Sequence, residues 1–171
     1  MKVARQGDAS VADNRCIAAE FELLAGVDSP YVPKAYGLLV DGQGRNHLVL
    51  EHREGDLLAT RLQSSRVDDD EDEHHGLDGA AAFAEQLLLA LADVHQHGFH
   101  GDLKPSNVLV SAEGRISLID FGAGRLDEEP GTEMIPAFGT RGYVAPELFL
   151  STDEELDRRK SDLYSLGVVV Y

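Results

Sequence analysis

The sequence predicts an α+β fold, and three observations carry that prediction. Two apolar runs, Ala35-Tyr36-Gly37-Leu38-Leu39-Val40 and Asn46-His47-Leu48-Val49-Leu50, flank the turn Asp41-Gly42-Gln43-Gly44, which is a hairpin pattern. Between residues 78 and 97, Phe83, Leu87, Leu88, Leu91, Val94 and His95 recur at helical spacing, and Gly98 is the expected stop. Beyond it, a polar loop at 100–107 leads to Val108-Leu109-Val110 and to residues 115–119, both of which read as short buried strands.

Composition sets outer bounds. The chain has 171 residues, 43% hydrophobic and 27% charged, which is ordinary for a globular protein and enough to bury one or two cores. Its formal net charge of −16 argues against nucleic acid or an anionic membrane surface as partner, because the average surface repels phosphate. The single cysteine, Cys16, excludes an intrachain disulfide and suits a reducing cytoplasm. No apolar run is long enough to span a bilayer, and no signal peptide is evident.

The most informative stretch is His100-Gly101-Asp102-Leu103-Lys104-Pro105-Ser106-Asn107, which puts an acid, a cation and an amide on one short loop that Pro105 keeps out of helix. Such residues suit phosphoryl transfer, which needs positioning more than reactivity. Asp102 can accept a proton from a hydroxyl nucleophile, Lys104 can neutralise charge on the phosphoryl group, and Asn107 can offer its amide oxygen to a divalent cation. Thirteen residues beyond Asn107 stands Asp120-Phe121-Gly122, at the end of a strand-like run, where a carboxylate is well placed for Mg²⁺.

Either motif alone is a common polar turn. Together, and followed by Gly139-Thr140-Arg141-Gly142-Tyr143-Val144-Ala145-Pro146-Glu147 and Asp162-Leu163-Tyr164-Ser165-Leu166-Gly167, they resemble the signature set of the Ser/Thr-type protein kinases. The resemblance implies a bilobal fold with a partial, β-rich N-lobe at 1–51, a hinge at 52–55 and a partial, mainly helical C-lobe at 56–171. It implies ATP and Mg²⁺ as cofactors and a protein with Ser or Thr hydroxyls as substrate.

In that family a lysine on a small-lobe strand pairs with a glutamate on the next helix. Lys2 matches the lysine. Residues 13–25 carry Ile17, Phe21 and Leu24 at helical spacing, and Glu20 matches the glutamate better than Glu22. The rival reading leaves Lys2 and Glu20 as solvated surface charges. By resemblance Leu50 gates the back of the adenine pocket, while Glu51, His52 and Arg53 offer main-chain groups to adenine and their side chains matter little.

Residues 55–63 suit a short helix. The acidic run Asp68-Asp69-Asp70-Glu71-Asp72-Glu73, in a loop taken as 68–76, repels itself and lacks the ligand alternation of a calcium loop. Residues 120–147 correspond to the activation segment, with 127–131 polar and turn-rich. Kinases switched by phosphorylation of this segment carry an arginine where Gly101 stands, so a phosphate on Thr132 loses its expected partner. Thr140 resembles the threonine that touches the residues matching Asp102 and Lys104. Asp162 resembles the aspartate that bonds to the catalytic-loop backbone, opening a helix expected to be buried on nearly every side.

The resemblance covers only the middle of the family domain. A glycine-rich loop before Lys2 and helices after residue 171 are expected to be missing, Glu147 is expected to be a buried carboxylate without its arginine, and residues 1–171 alone are expected to be poorly stable. Two other readings stay open. One is a small-molecule phosphotransferase of the aminoglycoside or choline kinase type, whose loop also reads His-Gly-Asp. The other is an inactive pseudokinase or truncated fragment acting as a binding module.

Overall fold

The computed structural model describes residues 2–3, 11–64, 73–123, 125–126, 140–150 and 157–171. Strand β1 (Lys2–Val3) precedes helix α1 (Val11–Gly26), and strands β2 (Ala35–Val40) and β3 (Asn46–Leu50) form the expected hairpin. The three strands make one antiparallel sheet in the order β1-β3-β2, with Lys2 opposite Leu48 and Leu38 opposite Leu48 on the other side. Leu23 and Leu24 of α1 are buried with Leu48, and Ile17 and Phe21 pack against the same cluster, so the predicted apolar stripe is the face that docks on the sheet.

After residues 51–55 come β4 (Asp56–Leu57), α2 (Leu58–Ser64) and α3 (Glu73–Val94). Then follow β5 (Gly98–Phe99), a 3₁₀ turn at Pro105–Asn107, β6 (Val108–Val110), β7 (Ile116–Leu118) and β8 (Arg125–Leu126). A second antiparallel sheet has the order β4-β6-β7, and β5 pairs with β8. Across β6 and β7, Val108 faces Leu118 and Val110 faces Ile116, and all four are buried with Leu87, Leu91 and Val94 of α3. The chain ends in α4 (Glu147–Leu150) and α5 (Arg158–Val170).

Several expected boundaries move. The helix placed at 55–63 begins at Leu58, because 56–57 are drawn into the second sheet opposite Leu109 and Val110. Residues 73–76, assigned to the acidic loop, form the first turn of α3. The remainder of the acidic run lies outside the described residues. Helix α3 ends at Val94 rather than at 97, and Gly98 pairs in β5 instead of capping it. Helix α5 starts four residues before Asp162, capped by the Asp157 side chain, which accepts from the Arg159 N–H. Nor is α5 buried all round: Leu166 is buried, whereas Leu163 and Tyr164 are exposed. Glu147 is exposed at the start of α4, so it carries no burial penalty of the kind expected for it.

Gly55 couples the two sheets' connection to β6. Its φ is +146°, and a Cβ there would lie 2.7 Å from the Val110 carbonyl oxygen, a backbone atom that cannot swing away. Gly55→Ala is therefore expected to destabilise the chain by at least about 1 kcal/mol, read by urea unfolding followed by circular dichroism. An unchanged midpoint would show that the connection relaxes freely.

Candidate functional site

The loop at 100–107 is held from below by α5. Asp162 is 1% exposed, and its carboxylate accepts the main-chain N–H groups of His100 at 2.8 Å and Gly101 at 2.9 Å. His95, one residue past α3, donates to the same carboxylate through Nε2 at 2.9 Å. An ionised carboxylate has only acceptors, so three donors converging on it give a satisfied buried charge. The contact expected of Asp162 is present. The His95 contact was not foreseen: at helical spacing with Leu91 it reads as one more member of the buried stripe. The available signal was a polar ring at the end of an otherwise apolar face.

His100 is completely buried, with its ring 4.6 Å from the ring of Phe121. Nδ1 accepts the Asp102 N–H at 3.2 Å, and Nε2 lies 3.2 Å from the Ile119 carbonyl, so the ring is neutral with its proton on Nε2. Burial pushes its pKa below the usual 6.5, outweighing the attraction of Asp162, Asp102 and Asp120. The next residue, Gly101, has φ +79°, and a Cβ there would stand 2.7 Å from the Ala123 carbonyl oxygen. The sharp turn that presents Asp102 thus favours the glycine on steric grounds.

Asp102 is the centre of a polar knot. Its Oδ1 accepts the Thr140 N–H at 2.8 Å and the Thr140 hydroxyl at 3.0 Å. Its Oδ2 receives Lys104 Nζ at 2.5 Å and Asn107 Nδ2 at 3.3 Å. Lys104 also donates to Thr140 Oγ1 at 2.6 Å, and Asn107 Nδ2 donates to the Asp102 carbonyl at 2.9 Å. The Asn107 nitrogen is thereby committed, so the atom its amide could offer to a cation is the oxygen. Ser165 of α5, one turn beyond Asp162, holds the Tyr143 carbonyl at 2.6 Å and so steadies the turn that carries Thr140.

The strand end bearing Asp120 is joined to the loop by main-chain bonds. The Ile119 N–H donates to the Asn107 carbonyl at 2.9 Å, which brings Asp120 beside Asn107. Asp120 is exposed and has φ +66°, uncommon for a residue other than glycine and typical of a functional constraint. The pair offers one carboxylate and one amide oxygen, hard ligands that suit Mg²⁺ when water and phosphate fill the remaining positions. Among the described residues no cluster of three or more His, Cys, Asp or Glu is present that would hold a metal by itself.

Glu20 is 2% exposed, and its Oε1 accepts the Phe121 N–H at 3.2 Å. The solvated-charge reading of Glu20 is therefore wrong: α1 turns it inward, onto the residue after Asp120. Lys2 pairs through its backbone in β1, and its side chain lies outside what is described, as do residues 127–139 with Thr132.

At the other end, Leu50 closes β3 and packs on the core cluster. The Glu51 N–H is spent on the Lys34 carbonyl at 2.8 Å, so that donor is not offered outward as expected. The side chains of this segment matter more than foreseen. Glu51 Oε2 accepts the Lys34 N–H at 3.2 Å and Arg53 at 2.9 Å, and Arg53 reaches the Val32 carbonyl at 3.3 Å. An ion pair between residues two apart thus staples the strand exit to residues 32–34.

Residues 1–171 match the family described as protein kinase domain. Sperm motility kinase 2B of Mus musculus is 32% identical over 157 residues, which are 91% of this chain and 30% of that protein. The Citron rho-interacting kinase of Rattus norvegicus is 33% identical over 159 residues, 89% of this chain and 7% of that protein. Serine/threonine-protein kinase cds1 of Schizosaccharomyces pombe is 29% identical over 157 residues, 89% of this chain and 32% of that protein. The chain thus spans less than a third of the length of these relatives.

The neutral state of His100 sets a pH dependence. Its folded pKa lies below the unfolded value of 6.5, so the unfolded chain takes up this proton first. The contribution is complete above pH 6.5 and is lost as pH falls below it. Unfolding free energies from urea titrations at pH 7.5 and 5 are expected to drop for wild type, and to drop less for His100→Phe, which keeps a ring and cannot titrate. Equal drops in the two proteins would remove His100 from this role.

Proposed function

Because the chain belongs to the protein kinase family, we propose that it transfers the terminal phosphoryl group of Mg²⁺-bound ATP to serine or threonine hydroxyls of protein substrates. The observation that supports this most directly is the knot on Asp102, whose two carboxylate oxygens are oriented by Thr140, Lys104 and Asn107. Fixing the carboxylate in this way prepares it to receive and orient an acceptor hydroxyl, and positioning of this kind supplies most of the rate in phosphoryl transfer. Lys104 is placed to balance charge on the phosphoryl oxygens. Asn107 and Asp120 are the residues that would hold Mg²⁺, which when bound neutralises charge on the phosphates.

On this reading Lys2 and Glu20 form the pair that orients the phosphates, residues 1–51 and 56–171 are the two partial lobes, and 52–55 is the hinge. Leu50 backs the adenine pocket, with the Glu51 carbonyl and the main-chain groups of Arg53 beside it. The contacts of Lys104 and Thr140 with Asp102 favour a protein acceptor over the small-molecule phosphotransferase reading, because both belong to the part of the resemblance tied to peptide binding. A cytoplasmic setting accords with the lone Cys16, and among the described residues no helix is long and apolar enough to cross a membrane. The net charge of −16 disfavours nucleic acid and anionic lipid as partners.

Asp102→Asn is expected to abolish turnover while leaving nucleotide affinity nearly intact. Asp120→Ala is expected to weaken Mg²⁺-dependent ATP binding as well as the rate. Isothermal titration with Mg-ATP and initial-rate assays on a protein substrate separate the two. Equal Mg-ATP affinity for wild type and Asp120→Ala would sink the role given to Asp120.

Gly101 offers no side chain to a phosphate on the activation segment, and its geometry resists acquiring one. Thr132→Ala is accordingly expected to keep its initial rate within about tenfold of wild type, or about 1.4 kcal/mol of barrier. A larger loss would show that another cation takes the arginine's place.

A further inference from the structure

Hydrophobic attraction holds α1 on its sheet but is non-directional, so the stripe of Ile17, Phe21 and Leu24 leaves the helix's slide and rotation loosely specified. Directional contacts come from the polar residue that continues that stripe one turn earlier. Asn14 Nδ2 donates to the Gly44 carbonyl at 2.7 Å, and Asn14 Oδ1 accepts the Asn46 N–H at 2.9 Å. The Asn46 side chain answers by donating to the Asn14 carbonyl at 2.8 Å. Three hydrogen bonds thus join the start of α1 to the β2–β3 turn and the first residue of β3, across some thirty positions of sequence.

That matters because α1 also carries Glu20, whose carboxylate must reach the Phe121 N–H. A helix is stiff over six residues, so a displacement at Asn14 is passed to Glu20, and a shift of 1 Å would break a bond already 3.2 Å long. We propose that Asn14 is a positioning residue: its amide latches α1 to the β2–β3 turn in the register that brings Glu20 to the main-chain N–H of Phe121. The consequence for catalysis rests on the phosphotransferase reading above, but the latch itself does not.

The test measures amide exchange by NMR on the full chain for wild type, Asn14→Ala and Asn46→Ala. Asn14→Ala loses the two bonds made by its side chain, and Asn46→Ala loses only the third. Exchange at Phe121 is expected to quicken about tenfold in the first and about threefold in the second, sizes in keeping with the loss of two and one hydrogen bonds. The Leu118 N–H, bonded to the Tyr31 carbonyl, is the control and is expected to keep its protection. Unchanged exchange at Phe121, or a parallel loss at Leu118, would overturn the proposal, the latter by marking mere destabilisation. Should Asn14→Ala not fold, Asn46→Ala decides in the same terms.

In the active enzyme the KM for ATP is expected to rise about tenfold on Asn14→Ala, and not to rise further when Glu20 is already Gln, since coupled residues are non-additive. Additive effects would overturn the route through Glu20. A chain that shows the exchange pattern without any phosphoryl transfer would support the latch and count against the proposed function alone.

Discussion

Everything in this site hangs from one buried carboxylate. Asp162 sits in the first half of α5 and accepts from two consecutive main-chain N–H groups and one imidazole. A buried charge costs several kcal/mol unless its lone pairs are filled, and here three donors fill them. The same bonds satisfy main-chain donors of the tight turn at Gly101, which could not make a helix or sheet ladder of its own. The polar loop is thus anchored by its backbone, and its side chains are left for chemistry.

From that anchor the other parts follow by short steps. Ser165 lies on the same face of α5 and holds the turn that delivers Thr140 to Asp102, so one helix controls both sides of the carboxylate. The Asn107 carbonyl receives the Ile119 N–H, which sets Asp120 beside the loop, and His100 fills the space beneath by packing on Phe121. Each link is a ring contact or a hydrogen bond with a main-chain group on at least one side, rather than a surface ion pair. Such contacts are short-ranged and geometrically strict, and they lose little to salt.

The N-terminal part reaches the site through Glu20 and through the Tyr31 carbonyl, which accepts the Leu118 N–H. Glu20 crosses from α1 to Phe121, and the registers of α1 and of residues 32–34 are set by polar staples at either end of the hairpin, Asn14 with Asn46 at one and Glu51 with Arg53 at the other. Among the described residues the sheet has three strands, two of them at its edges. A small apolar core specifies position weakly, and directional hydrogen bonds supply what it lacks.

Periodicity and motif spacing in the sequence determined the hairpin at 35–50, the strands at 108–110 and 116–118, the presence of α1, α2, α3 and α5, and the family that these motifs resemble. They did so because turn residues and apolar repeats act locally, and because Asp102, Asn107 and Asp120 stand at a spacing that few other sequences share. Tertiary structure alone decided which ends moved and who touches whom. Residues 56–57 became strand because β6 offered them partners, and 73–76 became the first turn of α3 rather than loop. His95 passed as part of an apolar stripe until Asp162, 67 positions away, gave it a carboxylate. The inward turn of Glu20 and the latch at Asn14 likewise depend on partners distant in sequence. Hydrogen bonds depend on fractions of an ångström between such partners, and no local pattern of residue types encodes that distance.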